Sequence, residues 1–149
     1  MSEPIQELLY GVPLFAGLDE NGYALLASAV RETNLPAGHV IIREGQPGKQ
    51  LFIIQRGTVE VYRETDHGEV ELNRLREGTF FGEMSILEEA PRSASVRAVT
   101  EVSLVIVPRI HFELLFERFP AQYASMVTNL ARDLSYRLRR LDDEYARQH

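Results

Sequence analysis

Residues 36–62 read PAGHVIIREGQPGKQLFIIQRGTVEVY. Three short runs rich in β-branched and aromatic residues, HVIIR, LFIIQ and TVEVY, alternate there with segments that contain glycine. Such runs are typical of strands, and glycine supplies the backbone angles that tight turns require. The pattern continues to about residue 108, through the runs VELNRL, TFF, SVRAV and VSLVIV. Residues 35–108 are therefore predicted to form a compact β barrel, roll or sandwich.

Helical patterns flank this region on both sides. Residues 1–34 contain amphipathic stretches, and Asp19 is placed to cap a helix. After Pro108, the run IHFELLFERF ends at Pro120, which breaks one helix and suits the first turn of the next. We therefore expect an α+β fold in a single domain of residues 1–149. Its N-terminal helices span 1–34, its strands 35–108, and its hinge and long C-terminal helices 109–149.

Composition excludes several classes of protein. The 149 residues are 44% hydrophobic, enough for a buried core, and they contain no cysteine. No apolar run approaches the roughly 18 residues that a membrane span needs, and the N-terminus lacks the features of a signal peptide. The net charge of −6 argues against direct contact with nucleic acid. Four scattered histidines predict no metal site. We expect a cytoplasmic protein with neither a cofactor nor a membrane partner.

The last predicted helix carries an apolar stripe in steps of four and three residues, formed by Val127, Ala131, Leu134, Leu138, Leu141 and Tyr145. This spacing is typical of a coiled-coil seam and predicts a homodimer through residues 121–149. In that register Arg137 and Asp142 would meet across a parallel interface. The alternative is that the stripe packs on the strands of its own chain.

In residues 80–98, FFGEMSILEEAPRSASVRA, the carboxylate of Glu83 follows a glycine, and the guanidinium of Arg92 follows a proline and precedes three small residues. The planar donor fork of Arg92 suits phosphate oxygens, and small residues from Ser93 onward let a ligand approach the backbone. Ionised Glu83 only accepts hydrogen bonds and so selects a hydroxyl donor. The segment predicts a cradle for a small anion that carries a hydroxyl group. The alternative is a surface turn in which Glu83 and Arg92 form a salt bridge with each other.

The order of helices, glycine-punctuated strands, hinge and long helix resembles the cyclic nucleotide-binding domain family. PAGHVIIREGQPGKQLFIIQRGTVEVY is similar to the opening of its antiparallel, jelly-roll-like β-roll. FGEMSILEEAPRSASVRA is similar to its phosphate-binding cassette, over residues 80–98. One departure is Gly48-Lys49, where an acidic residue is common in the family. We expect that turn to lie far from the cassette.

The resemblance implies a set of ligand-binding residues. Those of the cassette are Gly82, Glu83, Met84, Ser85, Arg92, Ser93 and Ala94, and Met84 to Leu87 are expected to form one helical turn. Val61 and Leu72 would face the base, although both also suit a plain apolar core. Closure of the last helix would bring Arg139, Leu141 and Asp142 over the site as a lid.

The function expected from this resemblance is that of a cyclic nucleotide sensor, for cAMP or less favourably cGMP, that moves its C-terminal helix and signals to an unknown effector. No catalytic residues are predicted, because no nucleophile and base can be paired. Two alternatives remain. The chain is a fragment of a Crp/Fnr-type transcription regulator, whose further domain would follow residue 149, or an interaction module whose pocket no longer binds ligand.

Overall fold

The computed structural model describes residues 2–28, 30–87 and 90–148. Their helices are α1 (Ser2–Tyr10), α2 (Glu20–Ala27), α3 (Met84–Leu87), α4 (Arg109–Arg118) and α5 (Pro120–Gln148), and a 3-10 turn spans Pro13–Phe15. Their strands are β1 (Arg31–Leu35), β2 (Val40–Ile42), β3 (Gln50–Arg56), β4 (Val59–Thr65), β5 (Gly68–Leu75), β6 (Phe80–Phe81), β7 (Ser95–Ala98) and β8 (Val102–Pro108).

These strands form two antiparallel four-stranded sheets. One has the order β1-β8-β3-β6 and the other β2-β7-β4-β5. Apolar side chains fill the space between the sheets, among them Ile54, Val59 and Leu104. The α+β class and the β-roll are thus confirmed.

The segment TVEVYRETDHGEVEL, residues 58–72, has the pattern of a hairpin that turns at Asp66-His67-Gly68, and the pairing of β4 with β5 confirms that prediction. Thr65 pairs with Gly68 across the two-residue turn Asp66-His67, and Gly68 has a φ of 103°. Farther along, the pairing shifts between Val61, opposite Asn73, and Tyr62, opposite Glu71. Leu72 is therefore the extra residue of a β-bulge, which changes the side chains that β5 directs to each face.

Strand β1 corrects the predicted boundary, because residues 31–34 were assigned to the helical part. The segment RETNL pairs with β8 over its whole length, from Arg31 opposite Ile106 to Leu35 opposite Val102. It lies at a sheet edge and its side chains are mostly exposed or half-buried. Such a strand lacks the apolar alternation by which strands are recognised in a sequence.

The helices pack on the outer face of the first sheet around a second apolar cluster that includes Phe15, Phe112 and Leu115. The Asp19 carboxylate accepts hydrogen bonds from the backbone N–H groups of Asn21 and Gly22, which confirms the predicted cap. These bonds, with one from Gln122 of α5, lower the pKa of Asp19. The same contacts tie the start of α5 to α2.

Helix α5 is confirmed as one long helix, and its two halves have different surroundings. In the first half, Met126 and Leu130 are fully buried in the helical cluster. In the second half, Leu138, Leu141 and Tyr145 are each at least 60% exposed. No helix of the described residues is long and apolar enough to span a membrane.

Candidate functional site

A cavity of about 320 Å³ opens between the second sheet, the segment that follows β6 and the middle of α5. Its apolar wall consists of Ile42, Val61, Leu75, Phe81 and Val96. Its charged groups among the described residues are Glu83, Arg92 and Arg137. The volume lies at the lower end of the range of small-molecule sites, and the mixture of an apolar wall with few polar groups is typical of them.

The Arg92 guanidinium is anchored by backbone carbonyls. Its Nη2 donates to the Gln50 oxygen at 2.9 Å, and its Nη1 donates to the Gly82 oxygen at 3.3 Å. A guanidinium has five N–H donors, and these two bonds use two of them. Burial lowers the pKa of Arg92, while the nearby negative charge of Glu83 opposes that shift. The group stays cationic at any physiological pH and presents a fixed fork for an anion.

Two glycines flank this guanidinium. A Cβ added to Gly48 would lie 2.7 Å from the Arg92 Nε, and one added to Gly82 would lie 2.9 Å from its Nη1. Gly82 also has a φ of 82°, which disfavours other residues. Glycine at both positions therefore leaves the space that Arg92 occupies.

The turn at residues 43–49 lies directly against the cassette, so the expectation that Gly48-Lys49 is remote from it is wrong. The Gly45 N–H donates to the Arg92 carbonyl at 2.8 Å, and the Arg92 N–H donates to the Gln46 carbonyl at 2.8 Å. Pro47 and Pro91 form an isolated β-bridge beside these bonds. The turn thereby fixes the backbone of Arg92, and Gly48 in the same turn leaves room for its side chain.

Glu83 is the one charged residue that is buried among the described residues, with 8% of its surface exposed. Its Oε1 accepts a hydrogen bond of 2.8 Å from the Arg137 Nη1. Within the described residues, Glu83 and Arg92 make no ion pair with each other, which removes the alternative of a mutual salt bridge. They line one cavity as separate groups, and each has another partner.

The other predicted site residues fall into three groups. Gly82, Met84, Ser93, Ala94 and Val61 line the cavity. Met84 to Leu87 form the expected helical turn α3, but the side chain of Ser85 lies outside the described residues. Leu72 does not line the cavity and is 52% exposed, because the β-bulge directs Asn73 and Leu75 inward in its place.

The predicted lid residues Arg139, Leu141 and Asp142 do not line the cavity in this conformation, and all three are exposed. The residue of α5 that reaches it is Arg137, which the sequence placed at a dimer interface with Asp142. That placement is corrected, since Arg137 contacts Glu83 of its own chain. A spacing argument along one helix cannot detect a contact with a residue 54 positions away.

The family model described as "Cyclic nucleotide-binding domain" matches residues 32–119. The chain is similar to a cyclic nucleotide-gated potassium channel of Rhizobium etli, with 41% identity over 114 residues, 76% of this chain and 31% of the channel. It is also similar to a CRP-like cAMP-activated global transcriptional regulator of Mycobacterium tuberculosis. That identity is 31% over 143 residues, 95% of this chain and 62% of the regulator.

Among solved structures, a cyclic nucleotide-binding domain from Methylobacillus flagellatus matches with a TM-score of 0.83 and 25% identity. The match covers 99% of this chain and 83% of that one. The chain spans less than two thirds of the length of the two curated relatives named above. The similarity therefore concerns one domain of those proteins and not their whole length.

Proposed function

The chain belongs to the cyclic nucleotide-binding domain family, and we propose that it binds a cyclic nucleotide as a regulatory module without catalytic activity of its own. The observation that carries the proposal is one cavity lined by the anchored guanidinium of Arg92, the buried carboxylate of Glu83 and an apolar wall. A cyclic nucleotide offers a matching phosphate, sugar hydroxyl and flat base.

In the proposed complex, Arg92 donates to the ring phosphate and Glu83 accepts from the ribose 2′-hydroxyl. Gly82, Met84, Ser85, Ser93 and Ala94 would supply backbone and hydroxyl contacts to the phosphate. The base would lie against the apolar wall that includes Val61. These pairings are chemical complements: an anion faces a cation, and a hydroxyl donor faces an acceptor.

We favour cAMP over cGMP as the ligand. The M. tuberculosis regulator, whose match covers 95% of this chain, is named for activation by cAMP. This preference rests on that relative.

The proposed output passes through α5. Ligand binding would shift this helix, and Arg139, Leu141 and Asp142 would close over the base in the shifted position. The exposed apolar side chains of its second half support a homodimer, because three such side chains on one helix are usually covered by a partner. That the helix signals to an effector protein, and that the protein is cytoplasmic, stay predictions.

Calorimetric titration with cAMP, cGMP and 5′-AMP tests the proposal. The wild-type protein should bind at least one cyclic nucleotide and should bind the linear monophosphate more weakly. Arg92→Ala should weaken binding by about 30-fold or more, since loss of one member of a buried charge pair costs about 2–5 kcal/mol. Glu83→Ala should remove the discrimination between cAMP and its 2′-deoxy analogue.

An exposed arginine provides the matched control. Arg132→Ala removes the same charge from an exposed position on α5 and should leave the affinity close to that of the wild type. Equal losses in Arg92→Ala and Arg132→Ala would show that only net charge matters and would contradict the proposed site.

A further inference from the structure

Arg137 links the sugar-binding acid to the helix that the proposal treats as the output. Its guanidinium lies in the cavity, and its Nη1 donates to the Glu83 Oε1 at 2.8 Å. The Glu83 side chain is only 10% exposed, and that of Arg137 is 35% exposed. The carboxylate proposed to receive the sugar hydroxyl is therefore already bonded to α5.

Arg137 has a second acidic neighbour one turn earlier on its own helix. Its Nε lies 2.9 Å from the Asp133 Oδ2, and its Cζ lies 5.5 Å from the centre of the Phe80 ring. The Asp133 oxygen is buried and has no aligned hydrogen-bond partner among the described residues. Arg137 released from Glu83 would thus remain beside a carboxylate able to accept from it.

We propose that Arg137 competes with the sugar hydroxyl of the ligand for Glu83. When the ligand binds, its sugar hydroxyl replaces Arg137 as the hydrogen-bond partner of Glu83. The contact between the cavity and the middle of α5 is then broken. This inference rests on the proposed function, because it concerns the same acid. Its physical basis is that a hydroxyl about 2.7 Å from Glu83 and the Arg137 guanidinium would share one small, buried carboxylate, so that each donor crowds the other and weakens its hydrogen bond.

Competition implies reciprocal coupling between the ligand and α5. If the ligand weakens the contact between Arg137 and Glu83, then that contact weakens ligand binding by the same factor. A ligand without the hydroxyl has no need to displace Arg137 and does not experience this competition. The identity of the sugar, and not only the phosphate, would then determine whether the contact with α5 is released.

The test is titration of wild-type protein and Arg137→Ala with cAMP and 2′-deoxy-cAMP. Arg137→Ala should bind cAMP about tenfold more tightly, since a hydrogen bond between charged groups is worth about that factor or more. Its affinity for 2′-deoxy-cAMP should change little. Arg137→Gln, which keeps an uncharged donor, should show a smaller effect of the same sign.

Two controls isolate the contact. In a Glu83→Gln background, Arg137→Ala should have no further effect on cAMP affinity, because the competed carboxylate is absent. Arg132→Ala should not change the affinity, because this exposed arginine is on the same helix and outside the cavity. Circular dichroism should show the same helix content in every variant.

The outcomes separate this inference from the proposed function. Weaker cAMP binding by Arg137→Ala, or equal tightening for both ligands, would overturn the competition and leave the binding function intact. Absence of binding by both wild-type protein and Arg137→Ala would overturn the proposed function and the inference with it. Binding by Arg137→Ala alone would support both.

Discussion

At the scale of the residue, the ligand-binding residues of the cassette could be predicted from the sequence, whereas the residues that contact and position them could not. Arg92 and Glu83 stand out because, within one short segment, Glu83 follows a glycine and Arg92 follows a proline and precedes three small residues. Gly48 and Arg137 do not stand out, because their roles depend on contacts with residues far away in the chain. The bridge between Pro47 and Pro91 brings Gly48 beside Arg92, and no local pattern indicates that pairing.

Gly48→Ala should weaken ligand binding by about tenfold with little change in stability. The new Cβ would lie 2.8 Å from the Arg92 Cζ, so the guanidinium must move from its carbonyl anchors. A misplaced guanidinium loses about one charge-assisted hydrogen bond, which corresponds to about tenfold in affinity. Because a flexible side chain can move where a backbone cannot, the fold should tolerate the change. Titration and thermal unfolding measure the two effects.

Gly11→Ala is the matched control for Gly48→Ala. A Cβ at Gly11 would meet the Leu8 carbonyl at 3.5 Å, an ordinary contact, and should leave the affinity unchanged. Wild-type affinity in Gly48→Ala, or a loss of stability as large as the loss of binding, would contradict the positioning role of Gly48.

At the scale of the element, α5 shows what periodicity can and cannot predict. The stripe from Val127 to Tyr145 correctly predicted a long amphipathic helix. It could not show that the first half of the helix buries Met126 and Leu130 in its own chain, whereas Leu138 and Leu141 stay exposed. The first half therefore packs on its own chain through residues outside the predicted stripe, and a dimer through the second half stays a prediction.

Leu130→Ala and Leu141→Ala should separate the two halves. Leu130 is fully buried, so its truncation should lower the free energy of unfolding by about 2–5 kcal/mol. Leu141→Ala should change monomer stability by at most about 0.5 kcal/mol and should weaken the proposed dimer. Urea unfolding and sedimentation equilibrium provide the measurements. A wild-type protein that sediments as a monomer at all concentrations would contradict the dimer.

Helix α4 contains His111, whose Nδ1 is buried without a hydrogen-bond partner among the described residues. Burial lowers the pKa of His111, so the unfolded chain binds a proton more readily than the folded one. The stabilising contribution of the neutral ring is present in full above the unfolded pKa of about 6.5 and is lost as the pH falls below it. The urea midpoint should therefore be lower at pH 5.5 than at pH 7.5.

His111→Gln should reduce this difference between the two pH values. His67→Gln is the control, because His67 is exposed in the hairpin turn and its replacement should leave the difference unchanged. A pH dependence that is the same in wild-type protein and His111→Gln would contradict the assignment to His111.

At the scale of the whole molecule, the sequence predicted the class of fold, the hairpin and the order of helices and strands. It did not predict the polar edge strand β1 or the bulge at Leu72, because both depend on partner strands and not on local alternation. The sequence also could not predict that α5 lies against the cavity, since the placement of a helix depends on packing across the entire chain. The position of α5 is what brings Arg137 to the cavity that Arg92 and Glu83 also line.

The central claim is that Arg92 and Glu83 hold the two polar ends of one cyclic nucleotide. A crystal structure of the protein grown with excess cAMP tests it most directly. We predict density for the ring phosphate within hydrogen-bond distance of the Arg92 guanidinium and for the ribose hydroxyl within hydrogen-bond distance of the Glu83 carboxylate. A cavity without ligand density at saturating cAMP, or a nucleotide bound elsewhere on the molecule, would contradict the claim.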